Sequence, residues 1–145
     1  MIQDQVTATG AVKIQITAPD GTVKSEKTIK NLVVTAGKGY IASRMTGTTT
    51  AMSHMSVGSG TTAANAANTA LGTELGRVTL ASGVTSGAAV TYVASFPAGT
   101  GTGAVTEAGI FNASSGGVML ARTVFPVVNK GADDGMTITW VVTVS

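Results

Sequence analysis

The sequence predicts an all-β domain: a β-sandwich of jelly-roll or Greek-key type, with eight or nine strands and one short helix. Three observations carry this. Apolar and polar residues alternate at period two along most of the chain, the pattern of half-buried strands. Gly-, Ser- and Asn-rich turns break those runs at short intervals. Helical spacing is rare, and its best instance lies just after residue 35.

The elements follow in order. Val12, Ile14 and Ile16 alternate with Lys13, Gln15 and Thr17, which makes the first strand. Pro19-Asp20-Gly21 ends it, because Pro presets φ and Gly accepts positive φ. A second strand runs over 22–29, and the apolar, β-branched run 31–35 leads into the helix, 36–45, with Thr35 as its cap and Ile41 and Met45 one turn apart. Residues 51–57 form a strand in which Met55 and Val57 share a face. Residues 58–76, GSGTTAANAANTALGTELG, are a long connection with one helical turn at 63–67, since glycines and asparagines interrupt what the alanines favour. A meander follows. Strands at 77–82, 88–96, 104–112, 118–125 and 136–144 are separated by turns at 83–87, 97–103 and 114–117. In the last strand Met136, Ile138, Trp140, Val142 and Val144 fall on one face, so Trp140 is a core anchor.

Residues 1–10 alternate little and are too polar for a core strand. They read as an amino-terminal arm ahead of a single domain, 11–145, and are expected to reach a neighbouring subunit together with the 58–76 loop. The chain ends within a residue of its last expected strand and reads as a complete domain.

Composition narrows the functional classes. Of the 145 residues 43% are hydrophobic and only 11% charged, against roughly 25% charged in ordinary soluble domains. Low charge weakens the repulsion that keeps copies apart, so the surface leans towards assembly; a monomer with a Thr-rich surface is the plainer alternative. A closed homo-oligomer is expected, a dimer ahead of a trimer. The net charge of +2 is no nucleic-acid footprint, although Lys13, Lys24, Lys27, Lys30, Lys38 and Arg44 make the first third the basic part. With aromatics at 4%, base stacking has little to work with. The absence of cysteine excludes disulfides and thiolate chemistry. Residues 1–10 are no secretory signal, and no apolar run approaches the length of a membrane span. Synthesis and use in a host cytoplasm are the expectation.

Enzymatic constellations fail for want of partners. His54 is the only histidine and has no acidic residue nearer in sequence than Glu74, so it reads as structural. The strings GSG at 58–60 and GTGTG at 99–103 lack the Lys-Ser/Thr ending of a phosphate loop and read as turns. Asp133 and Asp134 lack the alternating spacing of a calcium loop and read as turn formers. Met45, Met52, Met55 and Met119 read mainly as core filler, with an adaptable interface as the alternative. No catalytic residue, cofactor or metal is expected.

One hairpin invites a register argument. If Ser115-Gly116 is its tip, Phe111 lies opposite Leu120, Gly109 opposite Arg122 and Glu107 opposite Val124. Val105, Glu107, Gly109 and Phe111 then share a face with Leu120, Arg122 and Val124. A carboxylate among apolar residues is costly alone, but Arg122 is its diagonal neighbour across the space left by Gly109. Glu107 and Arg122 are therefore expected to form a structural ion pair at the edge of the core, with Phe111 and Leu120 as anchors. The rival reading points both charges at solvent and buries Ala108, Ile110, Met119 and Ala121.

Residues 106–125, TEAGIFNASSGGVMLARTVF, with Val127-Val128-Asn129-Lys130 and MTITWVVTV after them, resemble a pattern in small structural proteins of tailed phages. Residues 57–80, VGSGTTAANAANTALGTELGRVTL, belong to the same resemblance, and together they cover more than half the chain. Related segments occur in tail-fibre and tail-collar proteins and in short stand-alone head proteins. Because this chain carries no long shaft, the resemblance implies a head-decoration, or cement, protein. It would bind the outside of an HK97-type capsid shell and stabilise contacts between major capsid proteins. The alternative it leaves open is a tail-fibre, tail-collar or baseplate component involved in host attachment.

Overall fold

A computed structural model describes residues 7–144, which form nine strands and one helix in the order β1 (Ala8–Thr17), β2 (Val23–Val33), α1 (Thr35–Arg44), β3 (His54–Gly58), β4 (Glu74–Thr79), β5 (Ser82–Ser86), β6 (Ala89–Phe96), β7 (Gly103–Phe111), β8 (Met119–Lys130) and β9 (Gly135–Val144). The strands make one antiparallel sheet, β4-β3-β7-β8-β2-β1-β9-β6-β5, curled into a half-barrel. This corrects the expected two-sheet sandwich. The reason is β2. It pairs with β1 from Val23 to Asn31, then leaves that neighbour and pairs with β8 through Leu32–Arg122 and Val33–Ala121. One strand thus carries the hydrogen-bond ladder round the corner, where a sandwich would break it.

The core fills the curl. Strict alternation directs Val12, Ile14 and Ile16 inward, opposite Trp140, Ile138 and Met136, which in turn oppose Tyr92, Ala94 and Phe96. Met55, Val57, Ala108, Ile110, Leu120 and Phe125 meet them from the other half. Trp140 is fully buried and Leu120 nearly so. The two ends of the strand order, β4 and β5, are consecutive in sequence. Leu80 N–H bonds to the Ser53 carbonyl and Ala81 N–H to the Val93 carbonyl, so the connection ties both halves together at one corner.

Helix α1 begins at Thr35, not at 36, and the cap position belongs to the buried, extended Val34, which makes no side-chain cap bond. Thr35 instead gives its N–H to the Ala66 carbonyl. The buried face of α1 is Gly37 and Tyr40; Met45 is 87% exposed. The expected helical turn at 63–67 is a hydrogen-bonded turn closed by Asn65 and Asn68, whose side chains take the Ala67 and Asn65 N–H groups. The expected turn at 83–87 is strand β5, and the chain reverses at Gly87, whose φ of 57° suits a tight hairpin. Of the expected arm, residues 1–6 lie outside the described residues, while Ala8, Thr9 and Gly10 pair with Val144, Thr143 and Val142 and open β1.

Candidate functional site

Counting along the hairpin places Glu107 opposite Val124 and Gly109 opposite Arg122, and the β7–β8 ladder has this register. Two irregularities interrupt it. One lies between Val105 and Glu107, and the other sets Phe111 opposite Met119 instead of Leu120. These irregularities decide which way each side chain points. Val105, Ala108, Ile110, Leu120 and Ala121 face the main core, whereas Phe111 and Met119 pack with Val34 and Leu71 in a second, smaller cluster.

Glu107 and Arg122 also lie outside the main core. They sit on the outer side of the sheet, beneath the connection 59–73, which covers them. This corrects the expected position at the core edge among Val105, Phe111 and Val124, since Val105 faces the main core. It also sets aside the solvent-facing alternative, because Glu107 is 0% and Arg122 2% exposed. Arg122 donates from Nε and Nη2 to Glu107 Oε1 at 3.1 and 3.0 Å. The backbone N–H of Gly72 donates to Oε1 at 2.8 Å, and those of Gly60 and Thr73 to Oε2 at 2.6 and 2.8 Å. Arg122 also reaches the Thr62 carbonyl at 3.0 Å, the Ala63 carbonyl at 3.4 Å and Asn68 Oδ1 at 3.0 Å. Thr106 adds a bond to the Gly60 carbonyl at 2.8 Å.

The pair therefore straps a long loop to a sheet. A loop of small polar residues has little apolar surface with which to hold itself down, so the bonds to the buried charges supply what packing does not. Gly60 is required here because a Cβ at that position would collide with the Glu107 carboxylate. Burial alone would push the Glu107 carboxyl up, but the N–H groups of Thr73, Gly72 and Gly60 together with Arg122 hold it below the usual carboxylate range. Because the folded value is the lower one, this contribution to stability is whole above the unfolded value, about 4.3, and is lost as pH falls towards the folded value. In melts from pH 7 to pH 3, the gap between the parent and Glu107→Gln is expected to shrink below about pH 4. A constant gap would mean that Glu107 does not titrate with unfolding.

Two charged groups that the sequence reading left unassigned do similar work. Arg77 lies 3.9 Å over the Phe111 ring and holds the Ala113 and Gly116 carbonyls at 3.0 and 2.9 Å. Lys130, 2% exposed, donates to the Pro97 carbonyl at 3.0 Å. A single cation in a strand pattern gives no sign of burial; the carbonyls of distant loops hold both side chains, and Arg77 also pairs with Glu74 at 2.7 Å. Asp133 and Asp134 diverge: Asp133 is exposed, while Asp134 is buried and accepts from Lys24 and the Gly131 N–H. His54 bonds Ser53 Oγ at 2.8 Å.

Chemically, Glu107 and Arg122 are saturated. The carboxylate takes five hydrogen bonds from protein donors, two from Arg122 and three from the loop. That arrangement fixes geometry and leaves no poised acid or base. Among the described residues no group of three or more His, Asp or Glu could hold a metal ion, and no helix is long and apolar enough to cross a membrane. Compared with family models, curated proteins and solved structures, the chain matches none.

Proposed function

We propose that the chain is a non-enzymatic structural subunit of a tailed-phage particle, binding the outside of an HK97-type capsid shell and stabilising contacts between major capsid proteins. The observation that supports this is the meeting of the two segments that carry the resemblance. Glu107 and Arg122, from 106–125, bind Gly60, Thr62, Ala63, Asn68, Gly72 and Thr73, from 57–80. A shared pattern that codes for a strapped loop on a sheet is a pattern for presenting a rigid surface. The low charge of the chain suits close contact with other subunits.

A protein of this kind acts by burying area at contacts that exist only in the assembled shell. Binding the assembled state alone stabilises it by mass action, and many copies need not each bind tightly. Immunogold labelling or a cryo-EM map of a particle carrying the chain tests the reading. Density over the capsid faces is expected. Density confined to the fibres, collar or baseplate would replace it with the tail reading, and absence from particles would end both.

A further inference from the structure

The strand order ends on β5, whose far edge meets no other strand among the described residues. Which groups that edge presents follows from the hairpin. Ser86 pairs with Ala89 across the two-residue turn at 87–88, so Ser86, Val84 and Ser82 turn their backbone N–H and C=O groups towards β6. The bonds from Ala81 N–H to the Val93 carbonyl and from Val144 N–H to the Ala88 carbonyl fit the same alternation on the two sides of β6. Gly83 and Thr85 therefore turn their backbone groups to the free edge, and among the described residues nothing takes them. Every residue from 81 to 88 is exposed. Proteins commonly blunt such an edge with Lys, Pro or a bulge, because it is a template for another strand. The opposite edge is blunted: β4 carries Glu74 and Arg77 and a register shift beside Gly58. β5 reads Ser-Gly-Val-Thr-Ser, and the sequence holds no charged residue from 78 to 106.

We propose that β5 pairs antiparallel with β5 of a second copy, about a two-fold axis at Val84. In that register Gly83 of each copy meets Thr85 of the other in hydrogen-bonded pairs, which use every unpaired backbone group of both edges. Val84 faces Val84 in a non-hydrogen-bonded pair, where Cα atoms approach to about 4.5 Å, and the contact covers a side chain that is 60% exposed in one copy. Ser82 faces Ser86, hydroxyl to hydroxyl. The neighbouring registers serve less well. Centring on Gly83 would set Thr85 against Ala81, whose N–H is already given to Val93, and centring on Thr85 would set Gly83 against the turn at Gly87. An uncharged edge brings no like charges together when it meets its own copy. The pairing is isologous and consumes the edge, so it closes as a dimer and does not grow into a fibre. A contact of this size is weak alone. The inference goes beyond the capsid reading by naming the surface through which copies join, and it is tested without a particle.

The purified full chain has no cysteine, so single cysteines report contacts between copies. Under mild oxidation Val84→Cys should form a covalent dimer at least about tenfold faster than Thr28→Cys, an exposed position on β2, because pairing raises the effective concentration. In mixtures of preparations distinguished by a mass tag, Ser82→Cys should bridge to Ser86→Cys in preference to itself. Adding Thr85→Pro to Val84→Cys removes an N–H from the free edge and none from the ladder with β6. It should return bridging to the level of Thr28→Cys while the chain stays folded. The unsubstituted chain gives a second readout, since amide exchange at Gly83 and Thr85 should slow as protein concentration rises. Equal rates at positions 84 and 28, no preference of 82 for 86, or exchange independent of concentration would each overturn the pairing. Protection at every concentration would mean that a chain covers its own edge, and protection only on adding capsid protein would give the edge to the shell; either result overturns the dimer.

Discussion

Glu107→Ala is expected to lower the free energy of unfolding by about 3–5 kcal/mol, which for a chain of this length is a fall on the order of 10–20 °C in melting temperature. The size comes from what stays behind. Arg122 would keep its buried position without a counter-charge, and the N–H groups of Gly60, Gly72 and Thr73 would lose their acceptor. Each stranded buried donor costs about 1–3 kcal/mol unless the loop lifts and water enters. Lifting is the cheaper route, so the variant should also show faster proteolysis within 59–73. Lys13–Glu26 provides the comparison, a pair at 3.5 Å with both side chains about half exposed. Its removal should cost no more than about 1 kcal/mol. Equal effects at the two sites in calorimetric melts would mean that the strap contributes no more than a surface ion pair.

Sequence reasoning reached this pair by one route and misjudged its setting by another. The register rule needs only a hairpin tip and a count, and both irregularities leave the Glu107–Val124 and Gly109–Arg122 pairings in place. The face rule needs more. It assumes that one side of a strand meets the core and the other meets water, and over β7 both sides are covered: by the core beneath Ala108 and Ile110 and by the 59–73 connection above Glu107, Gly109 and Phe111. The burial of every residue from Val105 to Phe111 has no period at all. That a loop of threonines and alanines should serve as a lid could not be read from its composition. Its partners are a carboxylate and a guanidinium 34 to 60 positions away in sequence. The sandwich expectation failed for a related reason. Alternation identifies strands and their faces, but it is silent on whether a strand changes neighbours, as β2 does at Leu32. Strands β1, β6 and β9 were legible because one face is plainly apolar. The exposed Ser82–Ser86 strand was not, since its pairing with β6 is a matter of backbone alone.

Two glycines in α1 should respond to the same substitution with opposite signs. By intrinsic propensity, Ala in place of Gly inside a helix is worth about 0.5–1 kcal/mol, partly through the unfolded chain. Gly39 has nothing within 4 Å of where its Cβ would stand, so Gly39→Ala should raise stability by about that amount. Gly37 is buried, and a Cβ there would overlap the backbone carbonyl of Leu120. A carbonyl in a ladder cannot swing aside as a long side chain can, and Leu120 O already accepts the Val34 N–H at the start of the helix. Gly37→Ala should therefore force α1 off β8 and cost on the order of 2–3 kcal/mol despite the better propensity. The displacement would expose Tyr40 and break its bond to the Met52 N–H, so tyrosine accessibility should rise in step with the loss of stability. If both variants instead melt above the parent, α1 does not rest on Leu120.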